Sequence, residues 1–292
     1  MVGRALSAGQ SGFEFVRRDR FSGSGTEYIC CMATLPEKPE AILLDVEGVL
    51  YIQGDAIEGA PEALTRLREM AGGIRLVTNT SSISRKEVIQ RVRNAGFDVA
   101  DEEVLTPAAM AVRYCRSKGF SKVNLMVARS LREDLEEIDV VGTDERADAI
   151  VLGDLGPMFS SETLSHAFRQ MMDGAELIAL QHNRYWKRED GLVLDVGAFS
   201  AALEYAAETD AVVVGKPSVD FFRMALADAG AEASRTIMVG DDIEGDIGGG
   251  QNAGIASVLV RTGKYKAEKV AESGIEPTAT IDSIGDLPGL LG

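Results

Sequence analysis

Two acidic turns hold the residues best suited to do chemistry in this chain. One is Ala41-Ile-Leu-Leu-Asp45-Val-Glu47-Gly48-Val49, and the other is Thr236-Ile-Met-Val-Gly240-Asp241-Asp242-Ile-Glu-Gly-Asp246. Each follows a short apolar run bounded by glycine and acid, the pattern of a strand buried on both faces of a parallel sheet. In open α/β sheets ligands bind beyond the carboxyl ends of the strands, and both turns fall at such ends. Bringing Asp45, Asp241 and Asp246 together is costly unless a divalent cation neutralises them. Oxygen-only donors of this kind suit Mg²⁺, which binds through one or two carboxylates together with substrate phosphate. The residues point to metal-dependent phosphoryl transfer.

The elements that must position these turns follow from the alternation of apolar runs with amphipathic stretches. Strands are expected over 41–46, 74–79, 122–128, 148–152, 176–181, 211–214, 236–240 and 256–260. Helices are expected over 60–71, 84–95, 107–118, 160–173, 198–208, 217–229 and 245–253. Such alternation predicts βαβ units and a mostly parallel, Rossmann-like α/β sheet covered on both faces. Polar strand ends cluster at 45–48, 78–82, 215–217 and 240–246, and the stretch between them has strands and helices of its own. The expected division is therefore a catalytic core of 41–119 and 211–292 with an inserted α/β cap of 120–210, placed to act as a lid.

Bulk properties narrow the functional classes. The 292 residues are long enough for one or two domains, with 45% hydrophobic and 26% charged residues as in an ordinary globular protein. A formal net charge of −16 argues against nucleic acid or an anionic membrane as the main partner. It also requires a locally positive mouth or a bound metal for any phosphorylated substrate. No apolar run approaches the ~20 residues that span a bilayer. Cys30, Cys31 and Cys115 give neither a disulfide framework nor a metal-ligand spacing, so a reducing, cytoplasmic setting is expected. Residues 1–40 read as a Gly-, Ser- and Arg-rich tail outside the fold. For 1–31 three readings stay open: a disordered extension, an organelle-targeting segment, or a misassigned start ahead of Met32.

Four separated motifs, Asp45-Val-Glu47-Gly-Val, Val77-Thr78-Asn79, Gly215-Lys216-Pro217 and Gly240-Asp241-Asp242-x-x-x-Asp246, resemble those of the haloacid dehalogenase superfamily in kind and in order. The resemblance covers about 41–292. The long insert between Thr78 and Lys216 resembles the α/β cap of subfamily IIA. Asp241-Asp242-Ile-x-Gly-Asp246-Ile-Gly-Gly, Arg184-Tyr185-x-Lys187 followed by Gly191-Leu-x-Leu, and Arg261-Thr262-Gly263-Lys264 resemble segments of particular members of the same superfamily more closely still.

The resemblance implies a role for each position. Asp45 would be the nucleophile that forms an aspartyl-phosphate, splitting one displacement into two easier ones. Many members carry Asp two residues later as general acid and base. This chain has Glu47, whose proton transfer depends on its longer side chain reaching the leaving group. Thr78, and less distinctly Asn79, would bind phosphate oxygens. Lys216 would neutralise the nucleophile and the transferring phosphoryl group, at the start of a helix with Pro217 in its first turn. Metal ligands would be the Asp45 carboxylate, the Glu47 carbonyl and Asp241. Asp246 would support them directly or through water, and Asp242 would do the same or simply cap the following helix. In the cap, His182, Asn183, Arg184 and Lys187 would face the core and select the substrate, the two cations holding a second anionic group.

The expected function is a Mg²⁺-dependent hydrolase of a small phosphorylated metabolite, pyrophosphate or a phosphoamide. The resemblance also allows a homodimer formed through the cap. Glu47 alone motivates a competing reading, a catalytically weak regulatory or binding protein on the same fold. Dehalogenase and phosphonatase chemistry are disfavoured. The first leaves the acidic cluster without a use, and the second needs a Schiff-base lysine that the sequence does not identify.

Overall fold

The computed structural model describes residues 34–188 and 191–292, so the expectations for 1–31 lie outside the described residues. Its strands are β1 (Ala41–Asp45), β2 (Tyr51–Ile52), β3 (Asp55–Ala56), β4 (Ile74–Val77), β5 (Val104–Leu105), β6 (Val123–Met126), β7 (Ala149–Leu152), β8 (Glu176–Ala179), β9 (Tyr185–Arg188), β10 (Gly191–Leu194), β11 (Val212–Val213), β12 (Thr236–Gly240), β13 (Ala256–Val260) and β14 (Ala279–Ile281). Its α-helices are α1 (Ala60–Met70), α2 (Arg85–Asn94), α3 (Pro107–Lys118), α4 (Ser161–Met172), α5 (Val196–Ala207), α6 (Val219–Ala229), α7 (Gly249–Asn252), α8 (Ala267–Ser273) and α9 (Leu287–Leu291).

The six-stranded core sheet runs in the order β14-β13-β12-β1-β4-β5, and every neighbouring pair is parallel. From β1 the chain first builds outward through β4 and β5, then returns to the other side as β12, β13 and β14. The carboxyl end of β1 is therefore a topological switch point, where such sheets open a crevice for ligands. β1 is central because all five of its residues are buried. Ile42 and Leu44 enter an apolar cluster with Leu64, Leu67 and Val88. Leu43 points the other way, into a cluster with Met110, Phe221 and Phe222. The helices behind each face are punctuated locally. Ser84 caps α2 at Glu87 N–H, Thr106 caps α3 at Ala109 N–H, and Gly119 and Gly230 end α3 and α6 in the left-handed conformation.

Between α3 and α6 the chain forms a second parallel sheet, ordered β11-β8-β7-β6. One face packs under α4 and α5 through Ile150, Leu152, Leu177, Ala167 and Leu203. Val151 and Ile178 on the other face join the apolar cluster that holds Phe221 and Phe222.

The eight expected strands all form, within a few residues at their ends, and the expected α/β class is borne out. The short strands β5 and β14, the β2-β3 and β9-β10 hairpins and the helices α8 and α9 carried no periodic signal long enough to read. The helix expected over 245–253 is a π-helical turn over Ile243–Gly248 followed by the short α7. Pro217 precedes α6 by two residues instead of occupying its first turn. Pro39 and Glu40, expected in the tail, are bound into the core: the Pro39 carbonyl accepts from Gly72 N–H, and Glu40 pairs with Arg235 at 2.7 Å.

Burial predicts which apolar side chains matter. Phe222 is fully buried, so Phe222→Ala should cost about 3–5 kcal/mol of stability and lower the urea midpoint clearly. Tyr205 is 89% exposed, and Tyr205→Ala should leave the midpoint almost unchanged.

Candidate active site

Three strand ends of the core sheet and the segment that returns from the second sheet deliver the site. Asp45 ends β1, Thr78 and Asn79 follow β4, Lys216 lies just past β11, and Asp241 follows β12. The Lys216 ammonium is 4% exposed and lies 2.7 Å from Asp45 Oδ1 and 2.7 Å from Asp246 Oδ1. It also lies 3.3 Å from the Val77 carbonyl. Burial opposes the charge on Lys216, but attraction to Asp246 and Asp45 outweighs it and raises its pKa above the ordinary lysine value.

Asp45 is anchored by a single oxygen. Its Oδ1 accepts from Val46 N–H at 2.8 Å and contacts Lys216, and no hydrogen bond reaches Oδ2 among the described residues. Asp241 is held in the same one-sided way. Its Oδ2 accepts from Lys264 N–H at 2.6 Å, while its buried Oδ1 has no hydrogen-bond partner. Gly48 and Gly263 grip that anchored oxygen, and a Cβ built on either would lie about 2 Å from it, at 2.0 and 1.9 Å. Thr262 Oγ1 closes the grip by donating to the Gly48 carbonyl. Gly240 serves Asp246 similarly, since a Cβ there would fall 2.2 Å from the Asp246 side chain.

The donor set fits a hard divalent cation. Asp45, Asp241 and Asp246 are all buried, and each offers an oxygen within 4.8 Å of the others. Three carboxylates face one ammonium, which leaves two negative charges to be met. Their cost appears in the titration. Burial and then repulsion from Asp45 push Asp241 up to about 6 and Asp246 up to about 7. Asp242 shifts the other way. Burial would raise it, but the Lys264 charge and the N–H groups of Gly245 and Glu244 lower it. Those two N–H groups make Asp242 the cap of the π-helical turn, the second of the two roles expected for it.

The other expected site residues stand as follows. Thr78 is buried, and its hydroxyl shares a hydrogen bond of 2.9 Å with Thr80. The Asn79 side chain, expected on the substrate, faces the Lys216 backbone with both of its polar atoms. Glu47 is exposed and takes part in no side-chain hydrogen bond or ion pair among the described residues. In the cap, His182 pairs with Glu204 at 3.3 Å, and Asn183 N–H donates to Gln181 Oε1. Arg184 is exposed, and its carbonyl accepts from Asp195 N–H. Lys187 lies in β9 opposite Leu192, and its side chain is outside the described ones. None of His182, Asn183 or Arg184 is bonded to the core cluster among the described residues. The grip of Gly48, Gly263 and the Lys264 N–H on Asp241 was not expected from sequence. Its one visible signal was the Arg261-Thr262-Gly263-Lys264 segment.

Comparison with known proteins defines the class: the chain belongs to the haloacid dehalogenase-like hydrolase family. The profile of that description matches residues 42–141, and a HAD-hydrolase-like profile matches residues 213–287. The chain is similar to haloacid dehalogenase-like hydrolase domain-containing protein 2 of Bos taurus, with 40% identity covering 84% of this chain and 92% of the relative. It is also similar to phospholysine phosphohistidine inorganic pyrophosphate phosphatase of Rattus norvegicus, with 37% identity covering 86% of this chain and 93% of the relative. Among solved structures, p-nitrophenyl phosphatase from Archaeoglobus fulgidus superposes with a TM-score of 0.80 at 29% identity, covering 87% of this chain and 99% of that one. The core sheet with its inserted α/β cap is the architecture expected from the motifs.

The raised carboxylates predict a pH effect on stability without metal. Folded Asp241 and Asp246 hold protons up to about pH 6 and 7, whereas unfolded Asp releases them near 3.9. The folded state therefore binds more protons than the unfolded state between these limits, and stability falls as pH rises through that window. In chelator-treated protein the thermal midpoint should drop between about pH 4 and 7 and level off above, and Asp241→Asn should flatten the drop. An equal drop in the variant would contradict this assignment.

Proposed function

We propose that the protein is a Mg²⁺-dependent phosphatase that works through an aspartyl-phosphate on Asp45. The observation that carries the reading is the buried Lys216 ammonium shared between Asp45 and Asp246. It fixes Asp45 Oδ1 and leaves Oδ2 as the oxygen that attacks phosphorus, forming one P–O bond as the bond from phosphorus to the leaving group breaks, P–O in an ester or anhydride and P–N in a phosphoamide. Water then attacks the same phosphorus, releasing phosphate and restoring the Asp45 carboxylate. Thr78 would bind a phosphoryl oxygen, and Lys216 would offset charge developing on the phosphoryl group. Asp45, the Glu47 carbonyl and Asp241 would hold Mg²⁺, which when bound supplies charge neutralisation to the carboxylates and the phosphoryl oxygens.

Glu47 donates a proton to the leaving group and takes one from the attacking water in this reading. Its exposure suits a residue that meets its partner only when the cap closes. The cap, taken as 120–210 between core segments 41–119 and 211–292, limits the substrate to a small phosphorylated metabolite, pyrophosphate or a phosphoamide. His182, Asn183, Arg184 and Lys187 would select among these. The names of the pyrophosphate phosphatase relative and of the solved p-nitrophenyl phosphatase support this substrate class. The exposed Leu192, Leu194 and Tyr205 support self-association through the cap. Glu47 in place of the Asp that many members carry motivates a second reading, a binding protein with weak turnover.

A panel of phosphometabolites, pyrophosphate and phosphoamides separates the two. Wild type should release phosphate only with Mg²⁺, and Asp45→Asn should lose about 10³-fold or more in kcat. Glu47→Asp should give equal or lower activity if Glu47 is the working acid and base. Strong activation by that change would favour the weak-turnover reading.

A further inference from the structure

We propose that Asn79 is a positioning residue that holds Lys216 in place, and that its side chain is not a phosphate ligand. The inference rests on the phosphatase reading above. Asn79 Nδ2 donates to the Lys216 carbonyl at 2.8 Å, and Asn79 Oδ1 accepts from Lys216 N–H at 2.7 Å. The amide thus pairs with one peptide unit on each side of the Lys216 Cα, as a neighbouring strand would. Turning the amide over would set oxygen against oxygen and N–H against N–H, so this pairing fixes its orientation.

The end of β4 grips Lys216 twice. Asn79 takes its main chain, and the Val77 carbonyl, two residues earlier, faces its ammonium at 3.3 Å. Lys216 has no β-ladder partner of its own, since β11 ends at Val213. The Asn79 pairing therefore fixes the backbone from which the buried side chain reaches both carboxylates. Gly215 makes room for this approach. A Cβ at Gly215 would lie 2.9 Å from Asn79 Oδ1 and 2.3 Å from the Leu180 carbonyl, just past β8. Asn79 thereby also secures the chain where it returns from the cap sheet to the core. A misplacement of about 1 Å in a group aligned for reaction can cost about 10²-fold in rate.

The test is a double-mutant cycle read in kcat and KM, with Lys216 labelling as a separate measurement. Asn79→Ala should lower kcat about 10²-fold with KM nearly unchanged. In a Lys216→Ala background the same change should have little further effect on kcat, because the group it positions is gone. A raised KM with kcat unchanged would mean that Asn79 binds phosphate itself, and multiplicative effects would mean that it acts independently of Lys216. Either result overturns the inference. Asn79→Asp keeps the acceptor for Lys216 N–H but loses the donor to its carbonyl. It also sets a carboxylate oxygen against that carbonyl, so it should show the same split if the alanine variant does not fold.

If wild type turns over no substrate, the phosphatase reading fails, and labelling still decides the positioning claim. Acetic anhydride with peptide mapping should modify Lys216 at least about tenfold faster in Asn79→Ala than in wild type, reflecting local opening. An unchanged labelling rate would overturn the claim.

Discussion

One buried positive charge organises this fold. The Lys216 ammonium is 4% exposed, and removing either carboxylate that it touches would leave charge stranded in the interior. Satisfying it requires three separate stretches of chain to converge: the end of β1, the turn after β12, and the segment that returns from the second sheet. A parallel sheet with its switch point at β1 brings them together, because β1 has β12 on one side and β4 on the other. Glycine is needed where the convergence is tightest. Gly240 lets Asp246 fold back over the end of β12, and Gly48 and Gly263 close on Asp241.

The same arrangement leaves charge unbalanced. The single charge of Lys216 touches two of three buried carboxylates and offsets one negative charge, and burial together with repulsion from Asp45 raises the pKa values of Asp241 and Asp246. Asp241 is fixed through one oxygen and has the other buried without a partner, a geometry that suits a ligand and is poor for a purely structural ion pair. The strain is local to the crevice. The sheet beneath it is packed with Ile, Leu and Val on both faces, which keeps the site rigid enough to hold like charges together.

Much of this was legible in the sequence because burial on both faces leaves continuous apolar runs. Ile42 to Leu44 and Ile237 to Val239 read as central strands, and the acids that end them read as a site. The second sheet was legible by the same alternation. The elements that escaped were those whose reason to form lies elsewhere in the chain. β5 is only two residues long and exists because β4 offers it a pairing edge. The stretch that holds His182, Asn183, Arg184 and Lys187 gave no sign that 185–188 pair with 191–194 as a hairpin. The pairing of Asn79 with the Lys216 backbone was not legible because that partner stands 137 residues away, and no local pattern marks such a pair. The π-helical turn was read as an ordinary helix because its glycines and acids give no period to distinguish the two.

The most direct measurement is rapid quench of a single turnover with substrate labelled on its transferable phosphoryl group, followed by peptide mapping. Acid-stable, base-labile label should appear on Asp45 and decay as free phosphate forms. Label on another residue, or full turnover with inversion at phosphorus and no labelled protein, would contradict a nucleophilic Asp45 held in place by Lys216.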